Sequence, residues 1–108
     1  MTAPRWRPNG GLDLIERHIT FNVHPDKTAA FEQFIDGSYR PAMAKSPGFV
    51  KCELLREADS VTRYQLVFRF EDATGAVGWR TSEVHQGLQP ALQALHIDMA
   101  VQGYEVIG

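Results

Sequence analysis

Residues 49–70, FVKCELLREADSVTRYQLVFRF, contain two β-rich runs separated by the polar connection 57–60. In the second run, apolar side chains fall on every second residue and alternate with polar ones, a pattern typical of a strand with one buried face. The predicted buried side chains are Tyr64, Leu66, Phe68 and Phe70. Because the connection has hairpin length, we expect the runs 49–56 and 61–70 to pair as antiparallel strands.

The segment before this hairpin predicts a strand followed by a helix. Residues 14–23 alternate, so one face of the strand carries Ile15, Ile19, Phe21 and Val23, and the other carries Glu16, His18, Thr20 and Asn22. Arg17 shares the apolar face by its position, where it either reaches solvent at an edge or orients an anionic ligand. After Pro25, apolar residues recur at helical spacing up to Ala42, and Pro41 is expected to kink or interrupt this helix.

The segment after the hairpin predicts a second helix over 73–84, which begins after the capping signal Glu71-Asp72. A short third helical piece follows, with leucines one turn apart and Pro90 near its start, and a fourth strand over 97–107 closes the chain. The order βαββαβ predicts an α+β, ferredoxin-like domain in which helices cover one face of a four-stranded antiparallel sheet.

Length and composition leave room for one domain. The chain has 108 residues, so we assign 1–11 to a flexible N-terminal arm and 12–108 to the folded domain. A net charge of −2 makes nucleic acid an unexpected partner, and without an apolar run of bilayer length no membrane association is expected. The single cysteine, Cys52, fits a reducing compartment, so a cytoplasmic location is predicted.

The face of the predicted sheet that is not covered by helices must be either buried by a partner or exposed to solvent. A chain of this size leaves much apolar area unburied, and a second sheet packed on that face would form a homodimeric α/β barrel. A monomer with a solvated sheet face is the alternative.

Three stretches resemble the antibiotic biosynthesis monooxygenase family, whose members share a dimeric α+β barrel. They are residues 40–56, with Pro, Gly and Phe at the junction of helix and strand, residues 64–72, and residues 79–85, with an aromatic residue, Ser and His on the second helix. The resemblance implies a monooxygenase that needs neither metal nor flavin, because a deprotonated phenolic substrate can itself reduce O2. It therefore implies an aromatic or quinol-like small molecule as partner and no cofactor.

The two predicted catalytic residues are Trp79, which would shape an apolar pocket, and His85, which would assist proton transfer. A core tryptophan and a surface histidine at a helix end are the structural alternatives. If the helix continued, six residues would not put both side chains on one face, so a turn near Ser82 is needed to bring both inward.

The predicted substrate-binding residues are Asn22, His18, Tyr64 and Phe68. Haem-degrading relatives use an Asn on the first strand, a Trp on the second helix and a later His, a pattern that Asn22 and His85 match poorly. No histidine pair has the spacing of a helical metal site, so we predict no metal. The leading hypothesis is a cofactor-independent monooxygenase; the alternatives are a non-catalytic or stress-related barrel that binds a small ligand and, less favoured, a haem-degrading oxygenase.

Overall fold

The computed structural model describes residues 13–108, and the predicted N-terminal arm lies outside them. Besides a 3-10 turn over Pro25–Lys27 and a π-helical turn over Ile35–Tyr39, the described chain forms four strands and four α-helices. They are β1 (Ile15–Val23), α1 (Thr28–Phe34), α2 (Arg40–Ala44), β2 (Phe49–Arg56), β3 (Arg63–Phe70), α3 (Ala73–Thr81), α4 (Glu83–Gln93) and β4 (His96–Glu105). No loop separates α1 from α2, and a single residue separates α3 from α4. With each pair counted as one helical unit, the order is βαββαβ, as predicted.

The strands form one antiparallel sheet in the order β2-β3-β1-β4. The register places Ile19 of β1 opposite Leu66 of β3 and Val101 of β4, so these side chains share one face. This inner face packs against the helices and carries the core, whereas the outer face carries the alternate residues of each strand. The ferredoxin-like fold with helices on one face of the sheet is confirmed.

The core is rich in aromatic side chains from both layers. Its fully buried large members are Phe21, Phe31, Ile35, Tyr39, Met43, Tyr64, Leu66 and Phe70. Cys52 also lies in this core as a free thiol, where it packs as a small apolar residue. Burial of the thiol raises its pKa to about 11, so it stays protonated at neutral pH.

A π-helical turn, Ile35–Tyr39, joins α1 to α2 and interrupts the helix as Pro41 predicts. The amide of Arg40 donates to the carbonyl of Ile35, a spacing of five residues. In a regular α-helix each step of four residues overshoots a full turn by about 40°. The wider turn absorbs this drift, so every fourth residue from Phe31 to Met43 stays buried on one side.

Several predicted boundaries are wrong at the ends of elements. β3 begins at Arg63 rather than at residue 61, because the hydroxyl of Ser60 accepts hydrogen bonds from the amides of Thr62 and Arg63 and holds a turn there. β4 spans His96–Glu105 rather than 97–107. Pro90 lies inside α4 rather than near the start of a helix, because α4 already begins at Glu83.

The junction between α3 and α4 is a single extended residue, Ser82, with φ −68° and ψ 153°. Its hydroxyl accepts a hydrogen bond from the amide of His85 (3.1 Å) and donates to the carbonyl of Trp79 (2.8 Å). The same side chain therefore caps the start of α4 and closes the end of α3. The predicted helix 73–84 is thus two helices, and the turn near Ser82 that the sequence requires is present.

Substituting Ser82→Ala should lower the free energy of unfolding by about 1 kcal/mol, the usual cost of losing a helix N-cap. Ser82→Thr keeps a hydroxyl in place and should retain most of this stability. Denaturation in urea, monitored by circular dichroism, measures both variants. Equal stability of Ser82→Ala and the unsubstituted protein would show that the hydroxyl does not hold the junction.

Candidate active site

An apolar cavity of about 130 Å³ lies between the helices and the inner face of the sheet. The helices contribute Tyr39, Trp79, Arg80, His85, Gln89 and Leu92 to its wall, and the strands contribute Arg17, Ile19, Phe68, Met99 and Val101. Met99 and Val101 are 41% and 53% exposed, so the cavity opens along the edge strand β4. A larger depression of about 460 Å³ beside Cys52 and Arg40 is an open surface groove with charged walls. The smaller, more enclosed cavity is therefore the better ligand site.

Three aromatic side chains meet edge to face at the helical wall of the cavity. The ring centroids lie 5.1 Å apart for Trp79 and His85, 5.5 Å for Tyr39 and Trp79, and 6.2 Å for Tyr39 and His85. Trp79 is only 3% exposed, so it is both a core residue and part of the cavity wall. His85 reaches this group because the extended backbone at Ser82 starts a new helix directly before it. The two predicted catalytic residues are therefore in contact with one another.

His85 is half-buried, and burial lowers the pKa of its imidazole below the ordinary value of 6.5. The positive charge of Arg80 lowers the pKa further, while the backbone of Arg80 partly opposes the shift. The ring is therefore neutral at pH 7, which is the form that can accept a proton.

The two ring nitrogens of His85 have different surroundings. Nε2 lies 3.2 Å from the side-chain amide of Gln89, and Nδ1 is buried without a partner of strict hydrogen-bond geometry. The backbone of Arg80 is close enough to the ring to favour its protonated form through a hydrogen bond. Rotation of the Gln89 amide presents either its oxygen or its nitrogen to Nε2. When the oxygen is presented, Nε2–H donates to it and Nδ1 is left as a free acceptor.

Tyr39 belongs to the site, although the sequence identified it only as part of an apolar helix face. It is 1% exposed, and burial raises the pKa of its hydroxyl to about 12 despite a hydrogen bond from Trp79 that favours the ionised form. The Tyr39 hydroxyl therefore remains protonated and can donate a hydrogen bond. Because the Trp79 indole N–H is directed to Tyr39, the main role of Trp79 in the cavity is to supply an apolar surface.

Two arginines reach the cavity. Arg17 lies on the inner face as its position in β1 predicts, and Arg80 lines the same cavity. Burial, and secondarily the charge of Arg80, lower the pKa of Arg17 from its ordinary value. Arg80, next to Trp79 in α3, is a cavity residue that the sequence did not single out.

Of the four predicted substrate-binding residues, the structure brings only Phe68 to this cavity. Tyr64 lies on the inner face but elsewhere in the core, where its hydroxyl donates to Glu32 (2.5 Å) and its ring packs on Phe31. Asn22 lies on the outer face, where its amide donates to Asp98 (2.7 Å) and its oxygen accepts from Arg63 (3.0 Å).

His18 also lies on the outer face, in a network centred on Glu16. One carboxylate oxygen of Glu16 lies 2.7 Å from Nε2 of His18, and the other accepts from Arg69 at 2.6 Å. The hydrogen bond with His18 is the largest cause that lowers the pKa of Glu16, and Arg69 adds to it. The His18 ring also packs against Tyr104 of β4, with 4.6 Å between centroids. The network satisfies polar groups on the sheet face and is separated from the cavity by the sheet itself.

Within residues 13–108, no group of three or more His, Cys, Asp and Glu side chains could hold a metal ion. In the same part of the chain, no helix is long and apolar enough to cross a membrane.

The fold agrees with what comparison to known proteins finds. The sequence profile of the antibiotic biosynthesis monooxygenase family matches residues 14–91, and the chain belongs to this family. No functionally curated protein matches the chain.

Solved structures with the same fold include an oxygenase. A variant of SnoaB, a cofactor-independent oxygenase from Streptomyces nogalater, has 24% identity and a TM-score of 0.80 over 87% of this chain and 93% of its own. A proposed antibiotic biosynthesis monooxygenase from Caulobacter crescentus has 15% identity and a TM-score of 0.81, with 90% and 92% of the two chains covered. A protein of the same description from Bordetella bronchiseptica has 22% identity and a TM-score of 0.78, with coverage of 88% and 98%.

The imidazole of His85 should titrate with a midpoint below 6.5, because burial and Arg80 both disfavour its charged form. The unfolded chain then takes up this proton more readily than the folded one, so His85 reduces stability as the pH falls through about 6.5 and below. NMR of the imidazole resonances against pH measures the midpoint, and the spectrum of His85→Gln assigns the signal. A midpoint of 6.5 or higher would contradict the described environment.

Proposed function

We propose that this protein is a cofactor-independent monooxygenase that oxidises a phenolic or quinol-type aromatic molecule with O2. The observation that carries the proposal is the neutral, half-buried His85, which lines an apolar cavity together with Trp79 and Tyr39. Membership of the monooxygenase family and the shared fold with an oxygenase support the same chemistry.

The reaction begins with removal of a proton from the substrate hydroxyl. His85 accepts this proton at a ring nitrogen, and the side-chain amide of Gln89, 3.2 Å from Nε2, holds the ring in place. The resulting phenolate is electron-rich and passes one electron to O2, which gives superoxide and a phenoxyl radical. Their recombination forms a C–O bond at a ring carbon that bears hydrogen, and the distal peroxide oxygen takes the proton back from His85.

The hydroperoxide then loses water. The O–O bond breaks, the ring C–H proton leaves with the distal oxygen, and the ring carbon becomes a carbonyl. The overall change is phenol plus O2 to quinone plus water, so the substrate itself provides all four electrons that O2 requires. The protonated Tyr39 hydroxyl provides a hydrogen-bond donor for the developing oxyanion, and the apolar wall keeps the step dry.

A non-catalytic barrel that only holds a small apolar ligand uses the same cavity and is the alternative function. The feature that favours catalysis over simple binding is the lowered pKa of His85 in the cavity wall, which ligand storage does not require. Haem degradation has less support, because a cavity of about the size that holds benzene cannot enclose a porphyrin. Asn22 also lies on the opposite face of the sheet from Trp79.

The purified protein should consume O2 when supplied with a panel of anthrones and hydroquinones, and His85→Gln should reduce kcat about 100-fold or more, the usual contribution of a general base. His24→Gln is the matched control, because His24 lies outside the cavity wall, and its rate should be unchanged. An oxygen electrode measures the rates.

Absence of O2 uptake with every compound of the panel would remove the oxygenase proposal. Native mass spectrometry that then finds a retained small molecule without turnover would favour the binding function.

We also infer that the chain works as a homodimer in the cytoplasm, in which two sheets pack by their outer faces. Two exposed apolar side chains on that face support an interface: Leu55 on β2 and Tyr104 on β4, which are 49% and 47% exposed. A second copy presents the same pattern, so a symmetric packing would cover both sheets at once.

Sedimentation velocity should give twice the chain mass of 12.1 kDa, and Leu55→Asp should shift the protein towards the monomer, because a buried carboxylate at the interface is costly. Val61→Asp is the matched control, since Val61 is 74% exposed in the connection before β3. A monomer at micromolar concentrations, or equal dissociation by both variants, would contradict the outer-face dimer.

A further inference from the structure

Two arginines of the cavity wall have no carboxylate partner among the described residues. Within residues 13–108, four of the six arginines form ion pairs with carboxylates: Arg40 with Asp36, Arg56 with Glu32, Arg63 with Glu57, and Arg69 with Glu16. Arg17 and Arg80 are the other two, and the described chain gives their side chains no ion pair and no hydrogen bond. Both line the same cavity.

This arrangement costs free energy in the empty protein. Arg17 is half-buried, so its guanidinium has lost part of its hydration, and Arg80 adds repulsion between like charges. A carboxylate placed between the two guanidinium groups would remove both costs, and guanidinium groups match a carboxylate through paired N–H donors. The wall of the cavity therefore favours a ligand with a negative charge.

The size of the cavity limits the rest of the ligand. Its volume of about 130 Å³ is close to that of an engineered apolar cavity of about 150 Å³ that binds benzene. Ile19, Phe68, Trp79 and Leu92 give it apolar walls, and ring edges of Trp79 and Tyr39 are available for aromatic contact. One aromatic ring fits the enclosed part, whereas a fused ring system would extend past β4 into solvent.

We propose that the substrate is a monocyclic aromatic carboxylate, with its ring against Trp79, its carboxylate held by Arg17 and Arg80, and a ring hydroxyl directed to His85. This proposal rests on the proposed oxygenase function, because the ligand is a substrate only if the protein turns it over. Binding of the ligand can be measured without turnover. The arginine pair then fixes which ring position faces His85, so it determines specificity as well as affinity.

Isothermal titration calorimetry with 2,5-dihydroxybenzoate and with its methyl ester tests the charge requirement. The anion should bind about tenfold more tightly than the ester or better, the change expected from a charge-assisted hydrogen bond. Arg17→Gln and Arg80→Gln should each remove most of this preference and leave the affinity of the ester unchanged. Arg40→Gln, which removes one positive charge outside the cavity, should keep the preference.

Equal affinities of the acid and the ester, or no saturable binding of the acid, would overturn the proposal. A preference for the acid that survives in both Arg17→Gln and Arg80→Gln would also overturn the proposal. Because Arg80 is exposed, Arg80→Gln is expected to fold even if Arg17→Gln does not. The two-ring 1,4-dihydroxy-2-naphthoate should bind more weakly than 2,5-dihydroxybenzoate, and tighter binding would overturn the single-ring limit.

The outcomes separate this inference from the oxygenase function. Arginine-dependent binding of the anion without O2 uptake would support the aromatic carboxylate as ligand and contradict the oxygenase function. Turnover of uncharged hydroquinones without any preference for the carboxylate would support the oxygenase function and contradict the aromatic carboxylate as ligand.

Discussion

The hydrogen bonds of Ser82 hold the break between α3 and α4, and the candidate site depends on this break. Its hydroxyl bonds both to the last turn of α3 and to the first turn of α4, so the chain changes direction within a single residue. A continuous helix would turn His85 away from Trp79, because six residues do not return to the same helix face. With the break, the two rings meet at 5.1 Å and form one wall of the cavity.

A second irregularity of the backbone supplies the other aromatic ring. The π-helical turn over Ile35–Tyr39 keeps Tyr39 on the buried side of its helix, against Trp79 and His85. Helical irregularities of this kind often occur at functional sites because they position one side chain away from its regular helical direction. The cavity thus lies where two interrupted helices cross the inner face of a regular sheet. The sheet provides a rigid floor, and the interruptions place the polar groups.

Much of the fold follows from the sequence, because alternation and helical spacing report burial directly. Strand positions such as Ile19 and Phe68 were assigned to the correct face, and the parity of Arg17 placed it on the inner side. The contact between Trp79 and His85 depends on a break in the helix near Ser82. The sequence shows that such a break is required for the contact but does not predict that it occurs. Tyr39 and Arg80 gave no signal of a site, since a buried tyrosine and a helical arginine are common in structural roles.

The outer face explains why His18 and Asn22 are not brought to the cavity. Their polar character reflects hydrogen bonds to Glu16, Asp98 and Arg63 across neighbouring strands, a pairing that depends on sheet register and that a single strand does not reveal.

The most direct measurement of the central claim is a crystal structure of the protein with 2,5-dihydroxybenzoate. The account predicts the ring in the cavity beside Trp79, with a hydroxyl oxygen about 3 Å from a ring nitrogen of His85. Ligand density on the outer face of the sheet, beside His18 and Asn22, with an empty cavity, would contradict it.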